Sequence, residues 1–399
     1  MLSQRQLFLS HVAQTSPAPL ALEIERGEGV WLYAPDGKRY LDMISGISVS
    51  SLGHCHPAIV KAVQEQAARF MHLMVYGEFI HSPQVMLSQA LAAVLPEQLQ
   101  SVYLVNSGAE ATEGAMKLAK RFTGRSEIVY FKGSYHGSTQ GALSIMGDEY
   151  FKTAYRPLLP DTRQLRYGEI ADLEQITPRT AAVFFEPVQA ESGVKVPSTD
   201  YVKALRQRCL EVGALLVFDE IQTGFGRTGS LFRFQQLAVV PDVLLLAKAM
   251  GGGMPIGAFI SSSHIMTCLQ HSPVLGHITT FGGHAVSAAA ALAALQTLND
   301  SPFIQQVAEK EALLKTRLQH PAILSQHHAG LLMALEFADF ETNKGIIDTC
   351  IENGLITDWF LFAPHCMRLA PPLTITVDEL EAACDIILHS INQYLNLEQ

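Results

Sequence analysis

Short apolar runs alternate with stretches of helical spacing through the middle of the chain. Residues 101–108 (SVYLVNSG) read as a strand entering a turn, and AEATEGAMKLAKRFTG spaces its apolar residues as a helix ending at Gly124. Four more apolar runs follow, at 127–133 (EIVYFKG), 180–188 (TAAVFFEPV), 213–221 (GALLVFDEI) and 242–250 (DVLLLAKAM). A helix, TDYVKALRQRCLEVG, precedes the 213–221 run. Apolar strands separated by helices predict an α/β domain with a largely parallel sheet, whose strands are buried on both faces. Such sheets bind ligands at the carboxyl ends of their strands.

The polar and glycine-rich segments fall at those ends: NSGAE, KGSYHG, EPVQAESG, DEIQTGFGRTG and AKAMGGG. Their clustering predicts one converged site. The flanks have a different pattern. GVWLYAPDGKRYLD reads as a hairpin turning at Asp36-Gly37, and IQQVAEKEALLKTRLQ reads as a helix followed by mixed segments. The two ends, 1–50 and 296–399, are expected to form one smaller α+β domain beside a large domain at 51–295.

Composition narrows the function. Of 399 residues, 48% are hydrophobic and 17% charged, which suits a sizeable core and excludes a disordered chain. Lys plus Arg number 28 against 38 Asp plus Glu, a net charge of −10 with no basic block. Nucleic acid and anionic membrane are therefore not expected partners, and a pocket for a small molecule is. No apolar run reaches the ~20 residues of a membrane-spanning helix. The opening MLSQRQLFLSHVAQTSP lacks the apolar core of a secretory leader. Cys55, Cys209, Cys268, Cys350, Cys366 and Cys384 form no Cys-x-x-Cys pair, so the expectation is a cytoplasmic protein without disulfides. His54-Cys55-His56 is metal-like, but adjacent ligands rarely complete a zinc set and no metal is expected.

Three positions carry chemistry. Asn106-Ser107-Gly108-Ala109 joins a strand to a helix, where free N–H groups can hold a phosphate or Ser107 can serve as an ordinary cap. Lys248 ends a buried strand, so desolvation would lower its pKa and free the amine as a nucleophile; the alternative is a lysine reaching to the surface. Asp219 and Glu220 end the run LLVF and need a cationic or donating partner, either a protonated ring nitrogen or an arginine such as Arg227. Gly224-Phe225-Gly226-Arg227-Thr228-Gly229 matches G-x-G-x-x-G, the loop of a nicotinamide-dependent dehydrogenase. Here the tight strand-to-glycine turn is missing, and no long helix follows.

Taken in order, NSGAEA, YHG, EPVQAESG, DEIQTGFGRTG, LLLAKAMGGGMPIGA, HITTFGGHA and MRLAPPL resemble the class-III pyridoxal-phosphate aminotransferases, from about Gly29 to the C-terminus. The resemblance implies fold type I of the pyridoxal-phosphate-dependent transferases. That fold has a large domain with a seven-stranded, mostly parallel sheet and a smaller α+β domain. It also implies a homodimer with shared active sites. Lys248 matches the lysine that holds the cofactor aldehyde and moves the substrate proton. Asp219 matches the aspartate on the pyridine nitrogen, and Gln222 the residue on the ring oxygen. Ile221 and Tyr135 would pack the two ring faces. Ser107, Gly108 and Ala109 would hold the phosphate, with Thr280 reaching the phosphate of the partner subunit.

The same resemblance bears on substrate. Arg368 matches the arginine that grips an α-carboxylate, and Glu191 the glutamate that pairs with it when an ω-amine is bound. This implies glutamate and 2-oxoglutarate as one substrate pair; a permanent, non-catalytic Arg–Glu pair is the other reading of these two residues. GISVSSLGHCHPAIV and NSGAEATEGAMKLAKRFTGR are most similar to acetylornithine and ornithine aminotransferases. Those enzymes carry an arginine after the FHG or FWG turn, where this chain has Ser138, and Ile47 supplies no tyrosine. YHGST is closer to amine:pyruvate transaminases. The distal end of the donor would then be neutral, cationic or held by another group, such as Tyr76 or Arg163. A same-fold decarboxylase or aminomutase and a non-catalytic scaffold are the remaining alternatives.

Overall fold

The computed structural model describes residues 2–396. Its centre is a seven-stranded sheet in the order Ser101–Val105, Gly257–Ser261, Val243–Leu246, Leu215–Asp219, Thr180–Phe185, Glu127–Phe131, Thr162–Leu165. Gly257–Ser261 runs antiparallel to both its neighbours; the other pairings are parallel. The side-chain period of two splits each strand between two cores. Val129, Phe131, Val183, Phe185, Leu216, Phe218, Leu244 and Leu246 face one, where Tyr201, Val202, Leu205 and Cys209 of the helix Thr199–Val212 also pack. Ile128, Tyr130, Ala182, Phe184, Leu215, Val217, Val243 and Leu245 face the other, with Ala111, Ala115, Met116 and Leu118 of the helix Gly108–Thr123. Burial on both faces is why the interior positions of these strands are apolar.

Two strands of this sheet differ from the sequence expectation. Thr162–Leu165 is an edge strand, half-exposed and polar, so it lacks an apolar run. Gly257–Ser261 follows the loop GGGMPI, whose glycines and proline mask the strand behind them.

The chain ends meet. Trp31–Tyr33 and Arg39–Asp42 form the hairpin at Asp36-Gly37, and Leu355–Ile356 adds parallel to Arg39–Asp42 in a four-stranded sheet. A second four-stranded sheet, Ser325–His328, Met333–Glu336, Ala363–Leu369 and Asp358–Phe360, carries Arg368. The helix Val307–Arg317 occupies the middle of the segment read as helical.

GFGRTG joins these parts and is no phosphate loop. Gly226 has φ +91°, and a Cβ there would lie 2.8 Å from Leu373 and 2.9 Å from Ile304. Arg227 is fully buried and donates to Leu331 O (2.8 Å), Pro371 O (2.5 Å) and Ser51 Oγ (3.1 Å). Its guanidinium ties the large sheet's loop to both chain ends. Glu220 is also structural. It accepts from the N–H groups of Arg233 and Phe234 and from Thr223 Oγ1, and burial pushes its carboxyl up to about 7.

Candidate active site

A cleft of about 720 Å³ opens at the carboxyl ends of the central strands. Asn106 to Ala109, Tyr135 to Thr139, Glu186, Val188, Asp219, Ile221 to Thr223 and Lys248 line it, with Val49 and 253–256. Eight of the residues singled out in the sequence meet here: Ser107, Gly108, Ala109, Tyr135, Asp219, Ile221, Gln222 and Lys248.

The helix Gly108–Thr123 points its N-terminus into the cleft. Ser107 is a true cap, its Oγ accepting from Glu110 N at 3.2 Å. That bond uses an oxygen lone pair and leaves the hydroxyl proton able to donate. The first intrahelical bond is Ala111 N to Ser107 O, so the Gly108 and Ala109 N–H groups have no helical acceptor. They and the helix dipole make an anion seat. Gly108 packs closely here: a Cβ there would stand 2.8 Å from Ile221 Cδ1, so Ile221 would have to shift.

Lys248 follows the strand Val243–Leu246 with φ 48°, a strained conformation for a side-chain-bearing residue. Its Nζ donates to Gln222 Oε1 at 2.9 Å, while the buried Gln222 Nε2 has no partner. Burial lowers the Lys248 pKa; Glu191 opposes that shift and Arg368 reinforces it. The surface-reaching alternative is thus not what the chain does with this lysine.

Asp219 does not pair with Arg227. Its Oδ2 lies 2.7 Å from Nδ1 of the buried His136, and its Oδ1 accepts from Ile221 N at 3.0 Å. His136 is a site residue that sequence reasoning passed over, although YHG was visible as a motif; so is Glu186. Glu186 accepts from Tyr135 N at 3.1 Å, and burial, with the nearby Asp219 charge, pushes its carboxyl well up. The Tyr135 hydroxyl lies 3.2 Å from Ser138 Oγ.

Arg368 and Glu191 form a buried bidentate pair, Nη1–Oε1 at 2.8 Å and Nη2–Oε2 at 3.1 Å. Neither lines the cleft, yet both charges act on Lys248. Burial alone would raise the Glu191 carboxyl; Arg368 and Lys248 outweigh it and hold the group below its usual value. Leu361 N also donates to Glu191 Oε2.

Other sequence candidates lie elsewhere. Thr280 is exposed and outside the cleft, although neighbouring Thr279 accepts from Asn106 Nδ2 at 3.0 Å. Arg163 is engaged with Glu127, and Tyr76 lines a separate cavity with Tyr103 and His277. Neither lines this cleft. His54 binds Asp42 at 2.8 Å, and no group of three metal-ligating side chains occurs among the described residues. No described helix is long and apolar enough to cross a membrane.

Comparison with known proteins gives these groups a context. A family model described as aminotransferase class-III matches residues 12–391. The acetylornithine aminotransferase of Methanopyrus kandleri is 37% identical over 361 residues, 90% of this chain and 91% of that protein. That of Streptomyces coelicolor is 40% identical over 366 residues, 90% and 89% of the two chains. Among solved structures, the ornithine aminotransferase of Toxoplasma gondii superposes with a TM-score of 0.90 at 30% identity, covering 98% of this chain and 93% of that one. In that structure pyridoxal phosphate (PLP) partially occupies the active site. The cleft here suits the same group. The free N–H end of a helix suits a phosphate, the unpartnered Gln222 Nε2 suits a ring oxygen, and a carboxylate and a desolvated amine flank the space between.

Proposed function

The chain belongs to the class-III aminotransferases, PLP-dependent enzymes, and from that premise we propose that it moves an amino group from an ω-amine or amino acid to 2-oxoglutarate. Donors of the acetylornithine, ornithine or 4-aminobutyrate kind fit this reading, and the mechanism is ping-pong. The observation that carries it is the convergence of Lys248, Gln222, Asp219 and the free helix end on one cleft beside the Arg368–Glu191 pair.

PLP, when bound, supplies an aldehyde that joins the substrate amine and a ring that stores the electrons of the deprotonated carbon. Lys248 Nζ would hold that aldehyde in the resting enzyme, and once free of it would be the base that takes up and returns the substrate proton. Burial lowers its pKa, which raises the share of free amine that can act as a base. Asp219 is assigned to the ring nitrogen, and His136 and Ile221 N fix its two oxygens so that its charge stays aimed. Gln222 Nε2 is assigned to the ring oxygen, and Ile221 and Tyr135 to the ring faces. Ser107, Gly108 and Ala109 are assigned to the phosphate.

Arg368 is assigned to the α-carboxylate of glutamate or 2-oxoglutarate. Glu191 covers its fork when an ω-amine is bound and yields it when the α-carboxylate of glutamate or 2-oxoglutarate arrives. Ser138 lines the cleft where related enzymes carry an arginine, so the distal end of the donor is neutral, cationic or held by another group. A homodimer completes the site. Ile80, Val274, Leu275, Ile278 and Phe281 are exposed, an apolar surface around Thr280 that suits a second copy. The six unpaired cysteines suit a cytoplasmic setting.

The test is a half-reaction screen of the holoenzyme. Ornithine, acetylornithine, 4-aminobutyrate, lysine and putrescine are added singly while the visible cofactor band is followed. The reading expects one donor to bleach the band, and 2-oxoglutarate to restore it with one glutamate formed per site. Restoration by pyruvate but not 2-oxoglutarate would overturn the acceptor. Carbon dioxide release, or isomerised substrate without glutamate, would overturn transfer altogether.

A further inference from the structure

Arg368 is gripped on two edges. Glu191 takes the Nη1/Nη2 edge. On the other edge Asp358 Oδ1 lies 2.9 Å from Nε, an ion pair not aligned as a hydrogen bond. The two acids are held in different ways. Asp358 and Arg368 are direct cross-strand partners in the antiparallel pair of Asp358–Phe360 with Ala363–Leu369. The residues beside Asp358 pin the arginine too, since Thr357 Oγ1 donates to Arg368 O at 2.7 Å and Arg368 Nη2 donates to Trp359 O at 2.8 Å. The Phe360 ring lies 4.6 Å from the guanidinium carbon. The strand pairing therefore holds the Asp358 backbone directly beside Arg368. Glu191 sits instead in a loop beyond the strand Thr180–Phe185 and reaches Arg368 from another part of the fold.

A buried guanidinium stripped of its only counter-ion is strongly destabilised. An exchange of Glu191 for a substrate carboxylate would pass through such a state if Glu191 stood alone. We propose that Asp358 is a positioning residue for the carboxylate site: it keeps Arg368 compensated, and its Nη edge aimed, while Glu191 and the substrate carboxylate change places. This rests on the reading of Arg368 as the carboxylate site. It adds a residue whose role follows from the strand pairing of this chain. Loss of Asp358 lets the guanidinium turn and follow Glu191, so the substrate meets a displaced fork. Binding of a carboxylate suffers, and chemistry on an already bound substrate does not.

The test uses the aminated holoenzyme reacting with 2-oxoglutarate under single-turnover conditions, in Asp358→Leu, Asp358→Asn and Arg368→Gln. Asp358→Leu is expected to raise the half-saturating 2-oxoglutarate about tenfold, the cost of one lost charge-assisted contact, with the limiting rate within about twofold. Asp358→Asn keeps an oxygen beside Nε and is expected to raise it by about threefold, a partial rescue. An unchanged half-saturation in both variants would overturn the proposal. So would an equal fall of the limiting rate in both half-reactions, which marks a merely structural acid. If Asp358→Leu fails to fold, Asp358→Asn alone decides between a raised and an unchanged half-saturation. Arg368→Gln separates the two levels. If it leaves 2-oxoglutarate saturation unaltered, the assignment of Arg368 itself is wrong, whatever Asp358 does.

Discussion

Arg227→Met replaces a buried guanidinium by a shorter, unbranched apolar side chain. The wild-type side chain donates to two carbonyls, Leu331 O and Pro371 O, and to Ser51 Oγ. A buried acceptor deprived of its donor costs ~1–3 kcal/mol, so two orphaned carbonyls cost ~2–6 kcal/mol. Part of this is offset, because among the described residues no carboxylate lies within ion-pairing distance of Arg227 and the variant no longer buries that charge. A net loss of ~3 kcal/mol follows. Unfolding entropy of ~2.1 cal/mol/K per residue gives ~0.8 kcal/mol/K for this chain, so the midpoint should fall by ~4 °C. The assay is thermal unfolding by near-UV circular dichroism, with saturating PLP in every sample because ligand binding itself shifts the midpoint. A midpoint within about 1 °C of wild type would refute the claim that these carbonyls depend on Arg227. Retained stability with loss of nicotinamide binding would restore the glycine loop as a dinucleotide site.

Other perturbations test the site piece by piece. Glu191→Ala leaves Arg368 with Asp358 as its one remaining acid; half-reactions of ω-amines should slow by about tenfold or more, and that of 2-oxoglutarate by less than about threefold. Equal losses would mark the pair as permanent. Gly108→Ala drives a Cβ against Ile221, which stands 2.8 Å away, and should weaken PLP binding about tenfold in a fluorescence titration, consistent with an overpacking cost of ~1–3 kcal/mol. An unchanged affinity would show that the phosphate sits elsewhere. Asp172 accepts from Arg166 Nε, Nη2 and N, which hold its carboxyl down to about 2. A depressed carboxyl stabilises above its unfolded pKa and loses that contribution as pH falls toward the folded value. Asp172→Asn should therefore unfold earlier than wild type at pH 7, with the gap closing below about pH 4. A gap independent of pH would contradict the assignment.

How much of this was legible in the sequence follows from burial and chain distance. The strands buried on both faces announced themselves, because their successive interior positions are apolar. The polar edge strand Thr162–Leu165 and the strand behind GGGMPI had no such signal. Lys248 and Asp219 stood out as charged groups at the ends of apolar runs. The partner of Asp219 did not, since His136 is 83 positions away and only the sheet brings the two together. Asp358 was hidden for a similar reason: its meaning comes from strand register. The glycine loop misleads because glycines that admit close packing of Leu373 and Ile304 look the same as glycines that admit a phosphate.

The central claim is that Lys248 carries the cofactor. Wild-type protein is loaded with PLP, reduced with borohydride, digested and analysed by mass spectrometry, with Lys248→Ala treated in parallel. The account predicts a phosphopyridoxyl group on the peptide containing Lys248, and none on any peptide of the folded Lys248→Ala protein. Label on another lysine, or none on a protein that binds PLP, would contradict it.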